Sequence, residues 1–149
     1  FDAVSSIAGV TQHTTFEGQA AMRLESVVDL SISGEYPVEI DKEKVLIAPI
    51  LQAIIQDISQ KKSPEFVSTK FHRTVARMVV LGCERINKTT GAKYCALTGG
   101  VWQNKALLNL TVPELEKSGF TVLMHKRVPA NDGGIALGQL AITASQMNS

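Results

Sequence analysis

The 149-residue sequence has almost no net charge, only two cysteines and no long apolar run. Its 15 basic and 14 acidic side chains give a formal charge of +1, which indicates neither a nucleic-acid nor an anionic-membrane partner. No apolar run approaches the roughly 18 residues of a membrane span. Cys83 and Cys95 lie in apolar runs without a CxxC spacing. We therefore expect reduced core thiols in a cytoplasmic protein.

Histidine pairs with metal-binding spacing are also missing. His13, His72 and His125 are far apart in sequence, so no HxxxH or HExxH motif exists. We expect His72 to be a core histidine with satisfied hydrogen bonds and His125 to lie at a solvated strand end. A metal site would need ligands from elsewhere.

The composition is that of a globular domain, with 44% hydrophobic and 19% charged residues. The chain does not begin with methionine, and Phe1, Val4 and Ala8 already have helical spacing. A helix that starts without a cap is typical of one cut from a longer helix. We therefore expect residues 1–149 to be a fragment of a larger multidomain protein.

Apolar periodicity and end signals predict a helix-rich α/β fold. Strands are predicted at 36–40, 93–97 and 120–124, and the last two should be parallel because a helix connects them. Thr14 and Glu17 fit a capping box, and Gly119 fits a helix stop. The predicted helices span about 1–8, 15–30, 49–62, 64–87 and 133–145, with one more that ends near Lys117.

Two glycine-bearing segments follow the parallel strands: TGGVWQN at 98–104, the first glycine loop, and VPANDGG at 128–134, the second glycine loop. Loops after parallel strands open at the same edge of a sheet, where ligands bind. Gly99 and Gly100 fit either a tight turn or a nucleotide loop, with Asn104 one turn into the next helix. Asp132 fits either a helix N-cap or a ligand contact.

The last predicted helix carries unusually small side chains. Each interior glycine costs a helix roughly 0.5–1 kcal/mol, a cost that is tolerated where a helix approaches a sheet or ligand closely. We therefore expect a packed cleft wall rather than a surface helix. The small residues are Gly133, Gly134, Ala136, Gly138 and Ala141.

Four segments in order carry a family resemblance: FEGQAA at 16–21, FH at 71–72, the first glycine loop, and RVPANDGGIALGQ at 127–139. Together they resemble the C-terminal end of the HypF family, the carbamoyltransferases of nickel–iron hydrogenase maturation. The resemblance spans essentially the whole chain. It implies the second lobe of an actin-like ATPase (ribonuclease H-like) fold, within a domain related to the tRNA threonylcarbamoyl transferases.

The resemblance also implies a function for the whole protein. HypF proteins use carbamoyl phosphate and ATP, through carbamoyl-AMP, to carbamoylate the C-terminal cysteine of HypE on the way to cyanide ligands. This lobe would supply nucleotide contacts and one ligand of a divalent metal, iron or zinc, that histidines of the absent lobe complete. No residue of this chain is expected to be a catalytic nucleophile. The implied nucleotide contacts are Asp2, Gly18, Gly99, Gly100 and Asn104, and the implied metal ligand is Asp132.

Two alternatives remain open from the sequence. A tRNA threonylcarbamoyl transferase lobe predicts a basic surface, which a charge of +1 does not indicate, and an acidic residue where this chain has Met22. A non-catalytic module would only dock its sibling lobe or HypE. As an isolated lobe with half a cleft, the chain is expected to be inactive.

Overall fold

The computed structural model describes residues 1–42 and 44–147 of the chain. It has the helix-rich α/β architecture that the sequence predicts. None of the described helices is both long and apolar enough to cross a membrane. The elements are α1 (Asp2–Ile7), α2 (Gln19–Ser26), β1 (Glu39–Asp41), β2 (Lys44–Leu46), α3 (Ile47–Ser59), α4 (Pro64–Thr90), β3 (Tyr94–Leu97), α5 (Lys105–Lys117), β4 (Thr121–Met124) and α6 (Ile135–Met147).

Two apolar cores lie along the long helix α4. The first lies near its amino-terminal half and joins α1, α2 and α3. The second lies near its carboxyl-terminal half and joins β3, α5 and β4. The buried members of the first are Val4, Leu24, Tyr36, Ile50, Ile54 and Val67, and those of the second are Val80, Leu97, Leu115 and Phe120.

The strands β3 and β4 are parallel, as predicted, with a register from Tyr94 opposite Thr121 to Leu97 opposite Met124. Gly119 ends the connecting segment with a positive φ of 83°, which confirms it as the stop after α5. The predicted strand at 36–40 instead covers Glu39–Asp41 and pairs with β2 in an antiparallel hairpin. The sequence analysis did not predict β2.

The α2 helix is shorter than predicted. Gly18 precedes it in the left-handed conformation, with φ of 79°, and no side chain caps the helix. The predicted capping box of Thr14 and Glu17 is therefore wrong. Gln19 reaches back instead, and its Oε1 accepts a 2.7 Å hydrogen bond from the Thr15 amide.

The buried face of α4 is more polar than its apolar pattern predicts. The apolar Ile86 is exposed, while Ser68, Thr69, His72 and Thr74 are fully buried. Two of these polar groups bond the irregular segment between α2 and β1. Thr69 and Thr74 accept hydrogen bonds from the amides of Asp29 and Tyr36. Backbone groups without a ladder partner need such acceptors, because an unpaired buried amide is costly.

The α6 helix differs from the packed cleft wall that its small residues predict. Within the described part of the chain, none of its side chains is buried. Leu137, Leu140 and Ile142 are each more than half exposed. The outward face of the small sheet is open as well, with Tyr94 and Leu123 exposed.

These burial differences predict unequal effects of the same truncation in two helices. Leu115→Ala in α5 should destabilise the 149-residue chain by about 2–5 kcal/mol, because the fully buried side chain leaves a cavity. Leu140→Ala in α6 should change stability by less than about 0.5 kcal/mol, because Leu140 is exposed. Urea unfolding of the two variants measures the difference. Equal losses would contradict the exposed placement of α6.

Candidate functional site

The first glycine loop leads from β3 into α5. Gly99 has a φ of 100°, a conformation that favours glycine, and residues 100–103 form a short 3₁₀ turn. The sequence predicts Asn104 one turn inside the following helix. The 3₁₀ turn delays the start of that helix, so Asn104 lies before it. It is the N-cap of α5, and its Oδ1 accepts a 2.7 Å hydrogen bond from the Leu107 amide.

The second glycine loop contacts the first, as the shared sheet edge predicts. The Gly99 amide donates a 2.8 Å hydrogen bond to the carbonyl of Ala130. Asn131 accepts a hydrogen bond from the Gly133 amide, at 3.1 Å, so the capping role belongs to Asn131 rather than to Asp132. The carboxylate of Asp132 is left exposed and without a hydrogen bond to any described residue.

One cavity of about 420 Å³, which we call the Asn104 cleft, collects three of the predicted nucleotide contacts: Gly18, Gly100 and Asn104. The amino end of α2 forms one side, and the first glycine loop forms the other. Met22 also lines the cleft. The remaining lining residues are Phe1, Glu17, Ala21, Glu25, Val101 and Gln103.

The other predicted site residues lie outside this cleft. Asp2 is exposed in the first turn of α1 and does not line the cavity. Gly99 and Asp132 line a neighbouring hollow of about 390 Å³, which also contains His125. The roles of all these residues toward a nucleotide or a metal stay predictions.

A series of three hydrogen bonds connects Asn104 to α4 and α2. Its Nδ2 lies 2.9 Å from Nε2 of His72 in α4, and Nδ1 of His72 lies 2.8 Å from the carbonyl oxygen of Ser68. The Ser68 hydroxyl in turn donates to the carbonyl of Leu24 in α2. His72 is therefore a core histidine with satisfied hydrogen bonds, as predicted.

These hydrogen bonds determine which ring nitrogen of His72 carries the proton. The Leu107 amide can only donate, so Oδ1 of Asn104 faces it and Nδ2 faces His72. Nε2 of His72 must then accept, and Nδ1 carries the proton that it donates to Ser68. Burial lowers the pKa of His72 and keeps the ring neutral, which this arrangement requires. One N–H of Asn104 remains available to a ligand in the cleft.

Glu25 occupies the amino end of α5. Its carboxylate accepts hydrogen bonds from the amides of Lys105, at 2.6 Å, and Ala106, at 3.1 Å. These are the free amides that would attract an anion in an isolated helix. No local sequence pattern marks Glu25, because its partners lie 80 and 81 residues away.

The described residues contain no group of three or more His, Cys, Asp or Glu side chains that could hold a metal ion. Asp132 is suited to be a single ligand, because its carboxylate is exposed and unpaired among these residues. A complete site would need ligands beyond the described part of this chain.

A family model, the second subdomain of the Kae1-like carbamoyltransferase domain, matches residues 1–139. The chain belongs to the HypF family. It is 35% identical over 145 residues to the carbamoyltransferase HypF of Synechocystis sp., and 34% identical over 150 residues to that of Rhodobacter capsulatus. These alignments cover 94% and 100% of this chain, but only 18% and 19% of the relatives.

Solved HypF structures have the same fold. A full-length HypF in a phosphate- and nucleotide-bound form is 38% identical and superposes with a TM-score of 0.85 over the whole chain. The HypF of T. kodakarensis is 24% identical, with a TM-score of 0.77 over 96% of the chain. The chain spans about 20% of each of these structures. The predicted fold class, a second lobe of the actin-like type, is confirmed.

The surroundings of Gly134, in the second glycine loop, and of Gly138, in α6, predict different outcomes for substitution by alanine. A Cβ at Gly134 would lie 2.9 Å from the carbonyl oxygen of Pro129, so Gly134→Ala should cost about 1–3 kcal/mol. A Cβ at Gly138 would meet no atom within 4 Å. Gly138→Ala should therefore be neutral or stabilise α6 by up to about 1 kcal/mol. Chemical denaturation compares them, and equal behaviour would contradict the close turn at Gly134.

The lowered pKa of His72 should make the stability of the chain depend on pH. Its pKa is lower in the folded chain than in the unfolded chain, so the unfolded chain binds more protons as the pH falls below about 6.5. The free energy of unfolding should therefore decrease from pH 7 toward pH 5.5. His72→Gln should reduce this decrease, while the exposed control His125→Gln should retain it. Urea unfolding at several pH values measures it, and an unchanged slope in His72→Gln would contradict the account.

Proposed function

We propose that this chain is the nucleotide-binding lobe of a carbamoyltransferase that carbamoylates the C-terminal cysteine of HypE, using carbamoyl phosphate and ATP through carbamoyl-AMP. The convergence of Gly18, Gly100 and Asn104 on one cleft carries the proposal. The nucleotide-bound form of the full-length HypF that is 38% identical supports it further.

The Asn104 cleft has the size and surface of a nucleoside site. A volume of about 420 Å³ lies in the usual range for small-molecule pockets, about 300–1,000 Å³. Ala21, Met22 and Val101 offer apolar contacts to a base, and Gly18 and Gly100 allow close approach to the backbone. The free N–H of Asn104 offers a donor.

The charge of the cleft indicates which part of the nucleotide lies there. Glu17 and Glu25 bring carboxylates to the lining, and Glu25 already occupies the amides of α5. Carboxylates accept hydrogen bonds from ribose hydroxyls but repel phosphates. We therefore assign adenine and ribose to the Asn104 cleft, with the phosphates directed toward Asp132 and the second glycine loop.

The proposed transfer needs positioning groups rather than a nucleophile from this chain. The HypE thiolate would attack the carbamoyl carbon, forming a C–S bond as the bond to the phosphate oxygen breaks and AMP leaves. The residues of this lobe would hold the adenylate in place for that attack. A metal held by Asp132 and ligands from outside the described residues would polarise an oxygen of the phosphate or carbamoyl group.

We also propose that other domains of the same protein cover α6 and the outward face of β3 and β4. Parallel sheets are normally buried on both faces, yet Tyr94 is 72% exposed and Leu140 of α6 is 67% exposed. The chain spans only about a fifth of the length of its relatives. The remainder of such a protein is long enough to cover both surfaces.

Asn104→Asp in the intact protein should weaken ATP binding about 10- to 100-fold. Aspartate keeps the N-cap of α5 but replaces both amide N–H groups, the one on His72 and the one free for the nucleotide, with a negative charge. Asn109→Asp is the matched control, because Asn109 is exposed on the same helix and does not line the cleft. Isothermal titration calorimetry measures both dissociation constants. An Asn104→Asp variant that binds ATP as tightly as the control would exclude the cleft as the nucleotide site.

A further inference from the structure

The side chains of Cys83 and Cys95 contact each other. Cys83 lies in α4, Cys95 lies in β3, and their Sγ atoms are 3.5 Å apart. They are the two cysteines of the sequence, and both are free thiols. Their sequence pattern indicates separate core thiols, but the fold brings them together because β3 packs against α4 in the second core.

Both cysteine residues are intermediate in burial rather than fully buried. A disulfide bond is about 2.05 Å long, so the two sulfur atoms would have to approach by about 1.5 Å. Rotation of the two side chains can supply such a movement where the surface is partly open.

We propose that Cys83 and Cys95 are a reversible oxidation site that closes to an intrachain disulfide between α4 and β3. The oxidant is a low-molecular-weight disulfide such as oxidised glutathione. One cysteine thiolate attacks it, forms a mixed disulfide and releases one glutathione thiolate. The second cysteine thiolate then attacks the mixed disulfide, forms the Cys83–Cys95 bond and releases the other glutathione. The two cysteine protons pass to solvent.

Burial, and after it the neighbouring Cys95 thiol, raises the pKa of Cys83 to about 11, so little thiolate forms at neutral pH and the first step is slow. Once either sulfur carries glutathione, the other lies within contact distance of the mixed disulfide. The geometry therefore favours an intrachain bond over a lasting glutathione adduct.

The disulfide would link two elements that both lead to Asn104. α4 carries His72, and β3 leads directly into the first glycine loop with Asn104. A covalent bond between α4 and β3 adds to the hydrogen bond between His72 and Asn104. Oxidation should therefore raise the melting temperature of the region, because it restricts the separation of α4 from β3 in the unfolded chain.

Peptide mass spectrometry of the intact protein tests the proposal. The folded protein is incubated with oxidised glutathione, remaining thiols are alkylated, and trypsin is added. Cleavage after Arg77, Arg85, Lys93 and Lys105 separates the cysteines into peptides 78–85 and 94–105. We expect these two peptides joined, with the mass of two hydrogens lost, and separated again by dithiothreitol.

Two variants and one further measurement complete the test. Cys83→Ser and Cys95→Ser should each abolish the joined species and the oxidation-dependent rise in melting temperature. The proposal is overturned if both wild-type peptides remain alkylated, if they carry only glutathione, or if they are joined to other cysteines of the protein. It is also overturned if the joined peptides form only after denaturation.

Discussion

The hydrogen bond between Asn104 and His72 is the contact on which the candidate site depends. It connects the end of the first glycine loop to the middle of α4, at 2.9 Å. Asn104 also caps α5, so one side chain fixes the start of a helix and its position against another. Since each partner can bond in only one way, a single neutral form of His72 satisfies the arrangement.

Other parts of the site follow from that fixed helix end. Because α5 starts at Asn104, its first amides face α2, where Glu25 accepts two of them. That contact brings α2 and Gly18 across from Gly100 and forms the cleft between them. The second glycine loop is held in turn by the bond from Gly99 to Ala130. The cleft is thus built by polar contacts between elements whose apolar cores lie to either side.

Much of the fold could be predicted from local patterns. Apolar spacing and helix-end signals predict α3, α4 and the parallel strands. Because each glycine loop follows one of these strands, the sequence also predicts that both loops lie at the same edge of the sheet. The contacts made by Glu25 and the buried polar face of α4 could not be predicted, because their partners on other elements lie 32 to 81 residues away. His72 was predicted as a satisfied core histidine, but its partner Asn104 emerges only from the fold. The exposure of α6 could not be predicted for a similar reason. Small residues indicate that a helix packs closely, but they do not indicate which element packs against it.

A crystal structure of the intact protein with a non-hydrolysable ATP analogue tests the central claim most directly. The account predicts adenosine in the Asn104 cleft, near the backbone of Gly18 and Gly100. It also predicts one N–H of Asn104 on the nucleotide while the other remains on His72. A nucleotide bound elsewhere, or an Asn104 side chain turned away from His72, would contradict it.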